Sequence, residues 1–110
     1  MDNSKENKIM KTILLCCAAG MSTSMLVQRM QAKAERRGLE VAIKAVPALE
    51  LEMYINEADV ILLGPQIKYE LPRFTALAEP LGKPISLIEM MDYGALRGDK
   101  VLDHALSLLE

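Results

Sequence analysis

What most constrains this chain is a fourfold alternation of strand-sized apolar runs with helix-period segments, cut by Gly and Pro. Thr12-Ile13-Leu14-Leu15-Cys16 is continuously apolar, as a strand buried on both faces of a parallel sheet must be. Residues 20–24 form a small, polar turn. From Met25 the period becomes helical, with Leu26, Met30 and Ala34 four apart, Val27 on the same face and Gly38 as a C′ stop. Val41, Ile43 and Ala45 alternate along a second strand that Pro47 ends. Residues 48–56 read as a short helix with Leu51 and Ile55 inward, and residues 59–63 as a third strand closed by Gly64-Pro65. Pro72 suits the first turn of a third helix, where its missing N–H costs little, and Phe74, Leu77, Ala78 and Leu81 form its expected buried stripe. Gly82-Lys83-Pro84 turns into a fourth strand, 85–88. A loop, 89–98, leads to a last helix N-capped by Asp99, with Val101, Leu102, Ala105, Leu106 and Leu109 facing in.

Strand–helix repeated four times implies an α/β fold: a four-stranded parallel sheet in the flavodoxin-like order 2-1-3-4, with helices on both faces. Ligands of open sheets bind at the carboxyl ends of the strands, where the order reverses. The site is therefore expected between strands one and three, where segments 17–24 and 64–69 face each other.

Composition narrows the function. The chain has 110 residues, read as a flexible tail (1–10) and a single domain (11–110). A hydrophobic share of 51 % and a mean hydropathy of +0.14 exclude a disordered chain. Thirteen basic against 15 acidic residues and a pI near 5.5 argue against a nucleic-acid or anionic-membrane surface. No apolar run approaches the roughly 20 residues of a membrane span. The polar first 11 residues carry no export signal, so a cytoplasmic location is expected.

The two cysteines, Cys16 and Cys17, are neighbours. Their Cα atoms must lie about 3.8 Å apart, below the usual disulfide range of about 4.4–6.8 Å. Alternation along a strand puts them on opposite faces: Cys16 reads as packing inside the strand, while Cys17 sits at its carboxyl lip. After it runs Cys17-Ala18-Ala19-Gly20-Met21-Ser22-Thr23-Ser24, small and hydroxyl-rich, from strand end to helix. Such a loop can wrap an anion, with successive N–H groups pointing inward and a helix N-terminus behind them, and it favours the thiolate of a cysteine at its mouth. Each hydrogen bond to a charged acceptor adds roughly 1.5–3 kcal/mol, so several amides together outweigh a helix dipole worth about 0.3–1 kcal/mol. Cys17 is then either a phosphate-binding thiol or a packing residue; its place at the lip favours the first. Ser22, Thr23 and Ser24 also suit helix capping, which is compatible with either role.

The same eight residues resemble the phosphorylation loop of the IIB component of the lactose/cellobiose (chitobiose) family of the sugar phosphotransferase system, which reads Cys-x-x-Gly-Met-Ser-Thr-Ser. The resemblance continues at Ala58-Asp59-Val60-Ile61-Leu62-Leu63-Gly64-Pro65-Gln66, at Tyr69, at Lys83-Pro84 and at Tyr93-Gly94, covering the chain from about Met10 to its end. It implies a phosphocarrier without a cofactor. Cys17 takes a phosphoryl group from the phosphohistidine of a IIA partner and passes it to a sugar bound by a membrane IIC partner. Ala18, Ala19, Gly20, Met21, Ser22, Thr23 and Ser24 hold the phosphoryl oxygens, and the protein is a monomer that docks transiently. Which sugar is carried is not written in these residues.

Other thiol chemistry is the alternative. Low-molecular-weight phosphatases and arsenate reductases place Arg six positions after the cysteine; here that position holds Thr23, so the bidentate guanidinium is missing. Asp92 falls in the loop where such phosphatases keep a general acid, though a solvated turn residue explains it. A non-catalytic anion-binding module is the remaining reading. His104, the only histidine, falls with Asp103 and Ser107 on the polar side of its helix, unsuited as a base for Cys17. A receiver domain needs an aspartate at the end of strand three, where Gly64 stands, and no metal-ligand cluster is spaced along the chain. In the second loop, Gln66 can offer an amide to the first, Tyr69 can lie over the cysteine or meet a partner, and Lys68 reads as an exposed loop lysine. Tyr93 reads as turn or rim. Most of the eight methionines read as core, with Met21 an adaptable contact in the loop.

Overall fold

The computed structural model describes residues 10–18 and 21–110. Strand β1 (Lys11–Cys17) lies between β2 (Val41–Pro47) and β3 (Val60–Leu63), and β4 (Ile85–Leu87) extends the sheet beyond β3. All three pairings are parallel and the order is 2-1-3-4, as the alternation predicts. The register sets Cys17 opposite Pro47, and Cys16 opposite Val46 on one side and Leu63 on the other.

Period-two alternation along β1 and β3 feeds two separate apolar layers. Ile13, Leu15, Val60 and Leu62 pack against Leu26, Met30 and Ala34 of α1 (Met21–Arg36) and against Val101, Leu102 and Ala105 of α5 (Gly98–Leu109). Leu14, Cys16, Ile61 and Leu63 pack on the opposite face against Leu51, which opens α2 (Leu51–Tyr54), and against Phe74 and Ala78 of α3 (Leu71–Ala78). That is why residues 13–17 of β1 and the whole of β3 carry no charged or hydroxyl side chain: neither face meets water there. Gly38 ends α1 as expected. It takes the left-handed conformation at φ 70°, while its N–H donates to the Glu35 carbonyl and that of Leu39 to the Ala34 carbonyl.

Several elements depart from the sequence reading. Helix α1 opens at Met21, not Met25, so three hydroxyl residues lie in its first turn. Ser and Thr disfavour helix interiors, but first-turn N–H groups have no intrahelical partner to lose. The second helix is four residues long between 3-10 turns Ala48–Glu50 and Ile55–Glu57, and the chain after β3 coils into a 3-10 segment, Pro65–Glu70. Asp59 lies just outside β3. Its carboxylate accepts from the Thr12 N–H at 2.8 Å while its own N–H donates to the Thr12 carbonyl. Leu81 is exposed instead of completing the α3 stripe, because Pro80 and left-handed Gly82 draw the chain into a 3-10 turn that carries it outward. The loop over 89–98 contains a short helix, α4 (Met90–Gly94). Helix α5 starts at Gly98 with Arg97 at its N-cap, so Asp99 belongs to the first turn, where its carboxylate accepts from the Lys100 N–H.

Candidate functional site

Cys17 is the last residue of β1, so its backbone is fixed by the ladder to β2 while the chain beyond it leaves the sheet. It shares the parity of Ile13 and Leu15 and points toward the α1 side; Cys16 lies in the other layer. The chain after β3 closes on it. The Gly64 N–H donates to the Cys16 carbonyl at 2.8 Å. A Cβ on Gly64 would lie 3.6 Å from that of Cys17 and 2.8 Å from the Gln66 Oε1, so the Gln66 amide occupies the space over Gly64, beside the cysteine. The facing of segments 17–24 and 64–69 is thus realised through Cys17, Gly64 and Gln66. Tyr69 projects outward at 73 % exposure. Ala18 and Ser24 are exposed, Met21 and Ser22 open α1, and Ala19 and Gly20 lie outside the described residues.

Thr23, in the first turn of α1, is buried, and its Oγ1 lies 3.0 Å from the Tyr93 hydroxyl. The sequence leaves Tyr93 as turn or rim; in the structure it is 8 % exposed and joins the layer under α1. It reaches that place through α4, which is braced at both ends. The Glu89 side chain accepts from the Met91 N–H at the N-terminus. At the other end Leu96 is left-handed at φ 54°, with the Arg97 N–H on the Asp92 carbonyl at 2.8 Å and its own on that of Tyr93. Left-handed backbone costs a leucine about 1–2 kcal/mol. Here its side chain packs on the apolar layer, a contact that glycine would forgo. The available signal was the placement of a tyrosine, in a chain with few aromatics, shortly after a strand's carboxyl end.

Cys16 differs sharply from its neighbour. Burial in the apolar layer, with smaller contributions from Cys17 and Glu70, pushes its thiol up to about 12 from a usual 9.0. It is therefore neutral packing at physiological pH, as its place inside the strand predicts. A raised folded-state value stabilises the fold fully below pH 9 and loses that stabilisation as pH rises from 9.0 toward 12. The cost is about 1.4 kcal/mol per pH unit. Cys16→Ala should therefore show a shallower loss of stability above pH 9 than the parent, measured by urea unfolding at stepped pH.

The other candidates separate. His104 does not lie on a purely polar face: it is half-buried, with its Nε2 3.0 Å from the Ser86 Oγ on β4. Two strand spacings, about 10 Å, lie between β4 and β1, so it is no base for Cys17. Asp92 sits on α4, with its carboxylate 3.5 Å from the Arg97 Nη1, rather than in an open turn. Lys68 is exposed, as expected, at the rim of a cavity of about 540 Å³ floored by Leu87, Ile88 and Val101 beside the carboxyl end of β4. Among the described residues no group of three His, Cys, Asp or Glu side chains could hold a metal, and no helix is long and apolar enough to cross a membrane.

A doubly wound sheet with a cysteine at its switch point, backed by a hydroxyl-bearing helix turn, defines a class: open-sheet α/β proteins with a strand-end thiol where ligands of such sheets bind. Residues 12–104 match the family described as "PTS system, Lactose/Cellobiose specific IIB subunit". The chain is 41 % identical over 104 residues to the galactose-specific EIIB component of Lactococcus lactis subsp. cremoris, a match covering 90 % of this chain and 96 % of that one. The solution structure of a cellobiose-specific phosphotransferase IIB component protein from Borrelia burgdorferi superposes with a TM-score of 0.77 at 39 % identity, covering 91 % of this chain and 92 % of the other. The lactose-specific IIB domain of Streptococcus pneumoniae shares the fold, with a TM-score of 0.84 at 21 % identity over 92 % and 99 % of the two chains. The chain belongs to the lactose/cellobiose-specific IIB family of the sugar phosphotransferase system, as its loop predicts.

Proposed function

We propose that this phosphotransferase-system component carries a phosphoryl group on Cys17. The observation that supports the reading most directly is the place of Cys17 at the end of β1, over the switch point, with the first turn of α1 following and Gly64-Gln66 beside it. In the first half-reaction the Cys17 thiolate attacks the phosphorus of a phosphohistidine on a IIA protein. The S–P bond forms, the N–P bond breaks, and the imidazole keeps the electron pair and takes a proton. In the second, a hydroxyl oxygen of a sugar bound by a membrane IIC protein attacks the same phosphorus, displaces the thiolate and loses its proton. Residues 18–24 hold the phosphoryl oxygens through amides and hydroxyls, and Gln66 adds an amide from the second loop.

Two further features fit a carrier that docks in turn on a donor and an acceptor at the cytoplasmic side of the membrane. Met25 on α1, Leu49 after β2, Tyr69 after β3, and Met90 and Met91 after β4 are all exposed at the carboxyl end of the sheet. Exposed apolar side chains around one end of a sheet suit a transient interface, and methionine adapts to more than one partner. Thr23, bonded to Tyr93, fills the position where a thiol phosphatase needs Arg, and Asp92 is tied to Arg97. Both favour holding the phosphoryl group over hydrolysing it. The names of its relatives, galactose-, cellobiose- and lactose-specific, differ among themselves, so the sugar is left to the partner.

The test is intact and peptide-level mass spectrometry after incubation with phosphoenolpyruvate, the general phosphotransferase proteins and the cognate IIA. One phosphoryl group on the peptide containing Cys17, absent when IIA is omitted, is the expected result. Steady release of inorganic phosphate without an adduct would replace the carrier by a phosphatase.

A further inference from the structure

The Thr23–Tyr93 contact joins segments 70 residues apart and is buried at both ends, yet the transfer chemistry above gives Tyr93 no part. Two hydroxyls at 3.0 Å share one hydrogen, which leaves the accepting oxygen with its own hydrogen to donate elsewhere. A phenol is the more acidic hydroxyl and an aliphatic oxygen the better acceptor, so the favoured sense runs from the Tyr93 O–H to the Thr23 Oγ1. Thr23 then has a hydrogen to give, and it stands six residues after Cys17 in the first turn of α1, where the thiol phosphatases place their clamp.

We infer that Tyr93 is a positioning residue for the phosphocysteine: from α4 it holds the Thr23 hydroxyl so that its hydrogen is presented to a phosphoryl oxygen on Cys17. The inference rests on the carrier reading. A hydrogen bond that polarises a second one strengthens it, most of all when the final acceptor is charged. The bracing of α4 by Glu89 at one end and by left-handed Leu96 at the other gives the phenol a fixed origin, so the hydroxyl is placed by the fold rather than by the ligand. Arg in this position would clamp the phosphoryl through two donors; a threonine held by a tyrosine supplies one neutral donor, which suits a group that must later leave.

The experiment compares parent, Tyr93→Phe, Thr23→Val and the double variant, all intact chains phosphorylated through IIA. The readouts are the 31P shift of the phosphocysteine and the rate of its transfer to the cognate sugar in membranes carrying IIC. Tyr93→Phe keeps the ring and removes only the hydroxyl, so its circular dichroism and thermal transition report whether the fold is retained. Each single variant is expected to slow transfer about tenfold and to move the 31P resonance, and the double variant to be no slower than Thr23→Val, since the two groups act as one unit. A parent that takes up phosphate while Tyr93→Phe matches it in both shift and rate would overturn the positioning role and leave the carrier intact. Additive losses in the double variant would also overturn it, because Tyr93 would then act by a route other than Thr23. A parent that takes no phosphate from phosphorylated IIA would overturn the carrier reading itself.

Discussion

Cys17→Ser is expected to abolish phosphoryl acceptance, lowering it at least about 10³-fold, because a serine hydroxyl is a far weaker nucleophile toward phosphorus than a cysteine sulfur. The exchange of sulfur for oxygen leaves the β1 ladder and the approach of Gly64 in place, so the thermal transition should stay close to that of the parent. Cys16→Ser should do the reverse. It buries a hydroxyl in the apolar layer among Leu14, Ile61 and Leu63, costing about 1–3 kcal/mol, yet it should still be phosphorylated. Intact-mass spectrometry beside thermal melts separates the two effects. Phosphorylation of Cys17→Ser at the parental rate would remove Cys17 from the mechanism.

Gly98→Ala is expected to destabilise the fold by about 1–3 kcal/mol, the usual cost of overpacking. An added Cβ would meet the backbone carbon of Arg29 at 2.7 Å and the Met30 nitrogen at 2.8 Å. These are main-chain atoms of α1, so no rotamer change relieves the clash; α5 would have to move off α1, loosening the layer both helices cover. Gly94→Ala supplies the contrast. Its Cβ would meet nothing within 4 Å, and its φ is not positive, so it should stabilise by about 0.5 kcal/mol through the unfolded state. Urea unfolding of both variants gives the comparison; equal small effects would mean that the helix contact at Gly98 yields more easily than its geometry implies.

Much of this was legible beforehand because strand burial and loop chemistry are written locally. The apolar runs of β1 and β3 announce burial on both faces, Gly38 announces the end of α1, and the lip position of Cys17 follows from counting along one strand. The start of α1 departs from the sequence reading for an equally local reason: hydroxyl residues weigh against helix in propensity but not in a first turn, and only the helix axis shows where that turn begins. Leu81 leaves the expected stripe because helical spacing continues through Pro80 while the α-helical backbone does not.

His104 and Tyr93 failed differently. The histidine reads as polar from the face of its own helix and the tyrosine as turn or rim from its loop, whereas the environment of each comes from another element: Ser86 across the sheet edge for the histidine, Thr23 at a separation of 70 residues for the tyrosine. The sequence alone determined the parallel order 2-1-3-4, the identity of the strand-end thiol and the family of the chain, since each depends on periodicity or on contiguous residues. Only the tertiary structure decided that Gln66 stands over Gly64 beside Cys17 and that a tyrosine reaches the loop helix. Contacts between distant segments depend on crossing angles and approach distances, and no local pattern encodes those.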